Sequence, residues 1–332
     1  MRTHYLNKPA TLIMLALLAL MPVPVSAETF RLPDNGDTVV GDVNLTSVVG
    51  KNMVLDLAMT YDQGYEEMRL ANPQLDMFAP GDGAEVLIPS QYVLPAATPD
   101  GIVINVPEMR LYYFPRAKPK EPKVVITHPI SIGREDWVTP HGTTKVTAKI
   151  KDPVWVPPES IRKEHMTWGD VLPKVVPAGP DNPMGQFAIK LGLPGYFIHG
   201  TDEQKSYGIG MRVTHGCIRM YPKDIESLFM QIPVGTPVQI INQPLKVGRL
   251  KGSLYLEAHP HLLEDPAIRD DHYAKVVNLL IAAIGQARSE VDWAEIRSAV
   301  GDRNGIPVSI GQYQAVIDKP AAKIRSADNG KP

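Results

Sequence analysis

The feature that most constrains the fold of this chain is the succession of short apolar segments between Gly101 and Asn242, each soon interrupted by glycine, proline or polar residues. Segments this short suit strands, because helices need longer periodic runs. The pattern predicts strands at 102–106, 109–114, 123–126, 129–132, 143–150 and 238–241. One helix is expected, at 222–232, where Pro222 suits a first turn. Many short strands with frequent turns are typical of a β-sandwich or barrel, so we predict a mainly β domain over 101–242.

A smaller unit precedes this domain, at residues 28–92. Two short amphipathic helices are expected there, the first ending at Tyr61 and the second stopped by Asn72 and Pro73. A short strand ends at Ile88. The unit resembles the LysM module, a small βααβ glycan-binding fold. This resemblance implies glycan binding, and a structural cap without a ligand is the alternative.

The remaining segments are shorter and less patterned. Residues 93–100 are rich in proline and alanine, which is typical of a linker. A short α/β extension is expected at 243–313, with helices at 271–288 and 293–300 and a strand at 306–310. The polar residues 314–332 are expected to form a flexible tail.

Residues 1–27 have the layout of a secretory signal peptide. Basic residues come first, a short apolar run follows at 11–21, and small residues precede a cleavage site after Ala27. An uncleaved anchor is the alternative, but a membrane span needs about 20 apolar residues. We therefore expect export to the periplasm of a Gram-negative bacterium.

The chain carries a formal net charge of −2 and a single cysteine. General nucleic-acid binding requires a large positive field, so no nucleic-acid partner is expected. One cysteine cannot form an internal disulfide. A lone thiol in an oxidising compartment is exposed to damage, so Cys217 is expected to be either a buried core residue or a nucleophile.

The residues around Cys217 favour the nucleophile. An apolar strand ends at His199, and Cys217 follows a second short segment just before the predicted helix. A neighbouring histidine and a helix N-terminus both favour the thiolate. Gly216 allows a tight bend, so that backbone amides can face an oxyanion. In this interpretation Cys217 attacks a carbonyl, His199 accepts its proton, and Arg219 holds a substrate carboxylate.

The same segment resembles the signature of the YkuD-type L,D-transpeptidases, in which His-Gly is followed after a gap by Ser/Thr-His-Gly-Cys and often by Ile-Arg-Met. His199 and Gly200 supply the first part, and residues 214–220 supply the second. Further matches are PISIG at 129–133 with TPHG at 139–142, and PAGPDNPMG at 177–185. The signal peptide and flanking units fit the periplasmic ErfK/YbiS/YcfS/YnhG group of Gram-negative bacteria.

The resemblance implies an acyltransferase that acts on peptidoglycan and uses no cofactor or metal. Its cysteine attacks the peptide bond after the L-centre of meso-diaminopimelate in a tetrapeptide stem, and D-alanine leaves. An amine then resolves the acyl-enzyme. A second diaminopimelate gives a 3→3 cross-link, whereas a lysine anchors an outer-membrane lipoprotein to the wall. β-Lactams of the carbapenem class are implied as covalent inhibitors.

Carried over residue by residue, the resemblance makes Cys217 the nucleophile and His199 the general base and acid. The other implied site residues are Gly200, which orients His199 through its carbonyl, His215 and Gly216, which lie beside the oxyanion, and Thr214 and Arg219, which bind substrate.

Three alternatives stay open at this point. Water in place of the amine would make the protein an L,D-carboxypeptidase or another cysteine hydrolase, and a non-catalytic wall-binding protein is a different class. A zinc site of His199, His215 and Cys217 has suitable residue types but would occupy the attacking thiolate. For Arg219, bracing the loop is the alternative to binding substrate.

Overall fold

The structure is a computed structural model that describes residues 28–202, 204–265, 271–285 and 287–314. The predicted signal peptide at 1–27 therefore lies outside the described residues, as does the predicted tail at 314–332 beyond Gln314. Within the described part of the chain, no helix combines the length and apolar character that a membrane crossing requires.

Strands predominate among the elements. The strands are β1 (Glu28–Arg31), β2 (Val39–Gly41), β3 (Asn44–Ser47), β4 (Glu85–Ile88), β5 (Gln91–Val93), β6 (Gly101–Asn105), β7 (Arg110–Phe114), β8 (Val124–Pro129), β9 (Ile132–Gly133), β10 (Gly142–Lys151), β11 (Phe187–Leu191), β12 (Phe197–His199), β13 (Arg212–Thr214), β14 (Ile218–Arg219), β15 (Pro237–Ile241), β16 (Leu245–Leu250), β17 (Ser253–Ala258), β18 (Arg288–Val291) and β19 (Val308–Gln314). The helices are α1 (Val54–Thr60), α2 (Tyr65–Ala71), α3 (Glu159–Thr167), α4 (Pro222–Gln231), α5 (His272–Ile284) and α6 (Trp293–Asp302), with a 3-10 helix at Gln204–Gly208.

The central domain is built on one nine-stranded sheet in the order β1-β8-β7-β6-β15-β10-β11-β12-β14. Its neighbours are antiparallel except for two parallel pairs, β6 with β15 and β12 with β14. Ile102, Ile104 and Ile240 point into the main core, together with Leu228 of α4. Val103 lies between the two isoleucines and joins a second core on the opposite face. Both faces of these strands are therefore buried, which explains their continuous apolar sequence.

The prediction of a mainly β domain with a helix after Cys217 is confirmed, but a second α-helix was missed. The helix α4 begins at Pro222 as expected. The helix α3 follows Pro157 and Pro158, and its only buried residue is Ile161. A helix with one buried apolar position shows almost no periodicity, so the pattern could not predict it.

The N-terminal unit has the predicted order of two helices between strands. β3 and β4 pair antiparallel, and α1 and α2 pack on them over a small core that includes Val54, Met68 and Ile88. The predicted boundary at residue 28 is wrong, however. β1 pairs with β8 at the edge of the large sheet, and Phe30 packs in the second core of that sheet. The unit is therefore confined to the chain between β2 and β5, which pair with each other.

The prediction of a linker at 93–100 is also wrong at its start. Val93 is the last residue of β5, and its amide donates to Glu257 Oε2 at 2.5 Å. The Leu94 amide donates to Thr38 O at 2.8 Å, and the Ala96 amide to Gln243 Oε1 at 2.9 Å. These bonds hold the segment against residues far away in sequence.

The C-terminal extension has the predicted α/β character. Its sheet has the order β16-β17-β19-β18, and its core joins Leu254 and Ile310 to Val276 of α5 and Ile296 of α6. The extension docks on the β2–β5 pair, where the Thr38 amide donates to Arg249 O at 2.8 Å. The strands β16 and β17 were not predicted.

A buried ion pair joins the N-terminal unit to the large sheet. Arg110 of β7 is fully buried, and its Nε and Nη2 donate to the two carboxylate oxygens of Glu67 at 2.7 and 2.9 Å. Its Nη1 donates to Thr127 Oγ1 at 2.9 Å, and its Nη2 also donates to Asp62 O at 3.2 Å. This bidentate pairing of Arg110 with Glu67 fixes the position of α2 on the sheet.

We expect Arg110→Met to lower the free energy of unfolding by about 3–5 kcal/mol, because it leaves the mostly buried Glu67 carboxylate without its partner. The matched control is Arg69→Met, which removes an exposed partner of Glu66 from the same helix. That change should cost about 0–1 kcal/mol. Urea denaturation of the three proteins measures both values, and equal losses would contradict a special role for Arg110.

Candidate active site

A two-residue parallel pairing aligns the two segments that carry the site. β12 and β14 pair with Ile198 opposite Ile218 and His199 opposite Arg219. Side chains alternate along a strand, so His199 and Arg219 project from the same face. Cys217 directly precedes β14, and the charge of Arg219 acts on both His199 and Cys217. Ile198 and Ile218 point the other way and are fully buried in the main core. Core packing therefore fixes the register that sets the site.

His199 is buried and held in one tautomer. Its Nδ1 lies 2.7 Å from Gly200 O, so Nδ1–H donates to that carbonyl and leaves Nε2 as an acceptor. This is the contact with Gly200 that the resemblance implies. Burial, assisted by the positive charge of Arg219, lowers the pKa of His199 to about 3. The imidazole is therefore neutral in the resting protein at neutral pH.

Cys217 is partly buried directly before β14, with its Sγ 3.6 Å from Gly195 O. Burial raises the pKa of the thiol, although the Phe197 amide and the Arg219 charge act in the opposite direction. The expectation that His199 and the helix N-terminus would favour a thiolate is therefore wrong for the resting state. Neutral thiol and neutral imidazole suit transfer of the proton to His199 during attack.

Thr214 braces the loop before Cys217. Thr214 is buried, and its Oγ1 donates to Cys217 O at 2.6 Å while it accepts from the Gly216 amide at 3.2 Å. Its hydroxyl is thus committed to the loop and positions it, and the expected contact of Thr214 with substrate stays a prediction. The same bond occupies the Gly216 amide, so Gly216 contributes to the loop through its backbone shape.

Gly216 adopts a φ of +97°, which favours glycine. A Cβ at this position would lie 2.9 Å from Tyr196 Cε1. Beneath the loop, Thr139 Oγ1 donates to Gly216 O at 2.9 Å and accepts from the Gly133 amide at 2.9 Å. Thr139 was not predicted as a site residue, although it lies in the TPHG segment that carried part of the resemblance.

The ring of His215 is directed towards α3. Its Nε2 lies 2.6 Å from Glu164 Oε2, and its ring stands edge-on to Trp137 with centroids 4.9 Å apart. Glu164 also forms an ion pair with Arg134. Because its ring is committed to Glu164, His215 does not join His199 and Cys217 in one set of ligands. No sequence signal marked Glu164, since it lies on the unpredicted helix.

Arg219 is partly buried beside the sulfur. Its positive charge acts on the pKa values of both His199 and Cys217, and Asp202 is its nearest acidic influence. Among the described residues, no group accepts a hydrogen bond from Arg219 Nε. A largely desolvated guanidinium next to the nucleophile is a suitable site for an anionic group.

Comparisons with known proteins agree with this geometry. The model of the YkuD family, described as the L,D-transpeptidase catalytic domain, matches residues 99–240. The probable L,D-transpeptidase YbiS of Escherichia coli is 39% identical over 292 residues, covering 86% of this chain and 92% of the relative. The chain belongs to the L,D-transpeptidase family.

Two further L,D-transpeptidases show that the similarity extends beyond the catalytic domain. The probable L,D-transpeptidase ErfK/SrfK of Salmonella typhimurium is 40% identical, covering 86% of this chain and 91% of the relative. The probable L,D-transpeptidase YcfS of Escherichia coli is 38% identical over 311 residues, covering 92% and 95%. The expected family and group are therefore confirmed, and so is the interpretation of this L,D-transpeptidase as an enzyme.

We expect alkylation of Cys217 by iodoacetamide to accelerate continuously as the pH rises through the neutral and alkaline range, because the raised pKa keeps the thiol protonated. Arg219→Gln should move this profile to higher pH, because it removes a charge that stabilises the thiolate, whereas Arg219→Lys should move it less. Mass spectrometry of labelled protein measures the rates. A plateau of reactivity in the acidic range, abolished by His199→Gln, would instead indicate a preformed thiolate–imidazolium pair.

Proposed function

We propose that this L,D-transpeptidase acts through an acyl-enzyme on Cys217, with His199 as the base. The observation that best supports this proposal is the β12–β14 pairing, which aligns His199 with the segment that directly follows Cys217. The bond from His199 Nδ1 to Gly200 O also leaves Nε2 free to accept a proton. The sulfur attacks the carbonyl carbon, the thiol proton passes to His199, and His199 returns it to the departing amine.

The proposed donor substrate is a tetrapeptide stem of peptidoglycan. Cys217 attacks the bond after the L-centre of meso-diaminopimelate, and D-alanine leaves. Arg219 supports this assignment, because a guanidinium so placed can hold the carboxylate of the leaving residue. The relatives are named as probable L,D-transpeptidases, which supports the same type of bond.

The proposed acceptor is an amine, which enters the site after D-alanine has left. An amine attacks the thioester as a neutral nucleophile, so it must lose a proton, and His199, neutral after the first step, is placed to take it. A diaminopimelate amine gives a 3→3 cross-link, and the lysine of an outer-membrane lipoprotein gives a wall anchor.

The proposal also includes export. The arrangement of basic, apolar and small residues in 1–27 supports cleavage after Ala27 and action in the periplasm, where peptidoglycan lies. β1 begins at Glu28, so the proposed mature chain would start with a strand of the large sheet. Binding of glycan by the LysM-like unit stays a prediction.

We expect incubation with the carbapenem meropenem to add one inhibitor mass to the protein, and Cys217→Ala to abolish the adduct. His199→Asn should slow adduct formation by about 10²–10⁴-fold, because the base is lost while the nucleophile stays. Intact-mass spectrometry over time measures both. His165→Asn, at a partly exposed histidine paired with Asp170, is the control. Formation of an adduct by the Cys217→Ala protein would contradict the assignment of Cys217 as the nucleophile.

Product analysis with disaccharide-tetrapeptides tests the reaction itself. A transpeptidase should release D-alanine and form cross-linked dimers, because an amine captures the acyl group. Release of D-alanine with tripeptides alone would favour the L,D-carboxypeptidase. No product from a protein that still reacts with meropenem would favour a different donor, and no reaction in either assay would favour the wall-binding protein. Liquid chromatography with mass detection separates these products.

A further inference from the structure

Three buried side chains from three separate elements meet beneath the N-terminal unit. Asp62 lies in the turn between α1 and α2, His128 lies on β8, and Asp224 lies in the first turn of α4. All three are at most 1% exposed. His128 Nδ1 is 3.6 Å from Asp62 Oδ2 and 3.7 Å from Asp224 Oδ1, and one ligand atom of each residue lies within 4.8 Å of the others.

The polar atoms of this cluster are not satisfied by hydrogen bonds. Among the residues that the structure describes, none is a hydrogen-bond partner of either carboxylate oxygen of Asp62, either ring nitrogen of His128, or Asp224 Oδ2. Leaving a buried polar group without a partner costs free energy, and most buried groups in native proteins avoid it. One ligand atom of each residue lies close to the other two, so a single ligand could satisfy three side chains together.

The spacing fits a metal ion better than an ion pair. A charged hydrogen bond between imidazolium and carboxylate has a length of about 2.7–2.9 Å, which neither contact of His128 approaches. Two ligands of a tetrahedral zinc ion, at bond lengths of about 2.0–2.2 Å, lie roughly 3.4 Å apart. The observed N···O separations of 3.6 and 3.7 Å are close to that value.

The donor set and its charge are also suitable. One imidazole nitrogen with carboxylate oxygens is a combination that binds zinc and related divalent transition ions, whereas calcium and magnesium prefer oxygen alone. An imidazole that binds a metal is neutral, so in the occupied site the two carboxylates would supply two negative charges, which a divalent cation neutralises. We propose that Asp62, His128 and Asp224 form a structural site for one divalent transition-metal ion, preferentially zinc, which joins the N-terminal unit to β8 and α4.

A second buried cluster shows how the chain arranges such groups when no metal is needed. Glu108, Glu257 and His259 also lie close enough to share an ion. There, however, Lys246 Nζ lies between the carboxylates, 2.8 Å from Glu108 and 2.7 Å from Glu257, and His259 bonds to Glu257 at 2.6 Å. A lysine ammonium thus supplies the cation in that cluster. In the Asp62 cluster, the nearest guanidinium, Arg110, is committed to Glu67 and to the backbone carbonyl of Asp62.

The test is zinc binding by the full mature chain carrying Cys217→Ser, because the active-site thiol would otherwise bind metal, and without a histidine tag. After treatment with a chelator, titration against a chromophoric zinc competitor should give one site per chain. Zinc should raise the thermal unfolding midpoint, since a ligand that binds only the folded state stabilises it. Asp224→Asn and His128→Gln should weaken binding by about tenfold or more.

His141→Gln, which removes an exposed histidine, is the matched control and should leave both the stoichiometry and the affinity unchanged. The cobalt-substituted Cys217→Ser protein gives a second measurement that needs no ligand variant. Its visible absorption should show a low-symmetry site with nitrogen and oxygen ligands. Failure of the folded Cys217→Ser chain to bind zinc or cobalt would overturn the proposal. So would binding that persists in both ligand variants. Neither result depends on the transpeptidase activity.

Discussion

The pairing of β12 with β14 is the constraint on which the active site depends. Only two residue pairs form it, Ile198 with Ile218 and His199 with Arg219. A shift of one residue would turn every side chain of a strand to the opposite face. The buried isoleucines prevent such a shift, because they would have to leave the main core. The position of the chemistry is thus determined by apolar packing behind it, and the polar residues of the loop refine a geometry that the core already sets.

The electrostatics of the site follow from the same arrangement. Packing on the core removes water from His199, and this loss of solvation is the main reason that its pKa falls to about 3. It also raises the pKa of Cys217. Both groups are therefore stored in their neutral forms, and charge develops only as the sulfur attacks. Arg219, whose charge acts on both groups, is then positioned to stabilise negative charge on the sulfur and to oppose a positive charge on the ring.

The sequence predicted the parts of the molecule in which local pattern and tertiary structure agree. Local sequence patterns of a few residues were enough to predict the helix at Pro222, the strand that ends at His199 and the order of α1 and α2. β1 was assigned to the wrong unit, because its partner β8 lies far along the chain and pairing leaves no local pattern. α3 was missed because only Ile161 is buried, and Glu164, the partner of His215, was missed with it.

The expected thiolate was wrong for a different reason: sequence spacing reports proximity but not desolvation. The convergence of Asp62, His128 and Asp224 is invisible for the same reason as the β1 pairing, since each residue comes from a different element.

The strand pair that encloses the N-terminal unit has a consequence for how such a protein can be divided. Gly41 and Gln91 stand opposite each other, so the chain leaves and re-enters the catalytic body at adjacent points. The unit is therefore an insertion and not a domain added at the terminus.

Truncation from the N-terminus would remove β1 from the large sheet and β2 from its partner, whereas a single internal deletion closed by a short turn would retain both strands. Such a deletion would expose Arg110 and His128, which lie on the surface of the large sheet that the N-terminal unit covers. Gain or loss of the unit during evolution is thus topologically simple, but it requires the underlying face of β7 and β8 to change its charged residues at the same time.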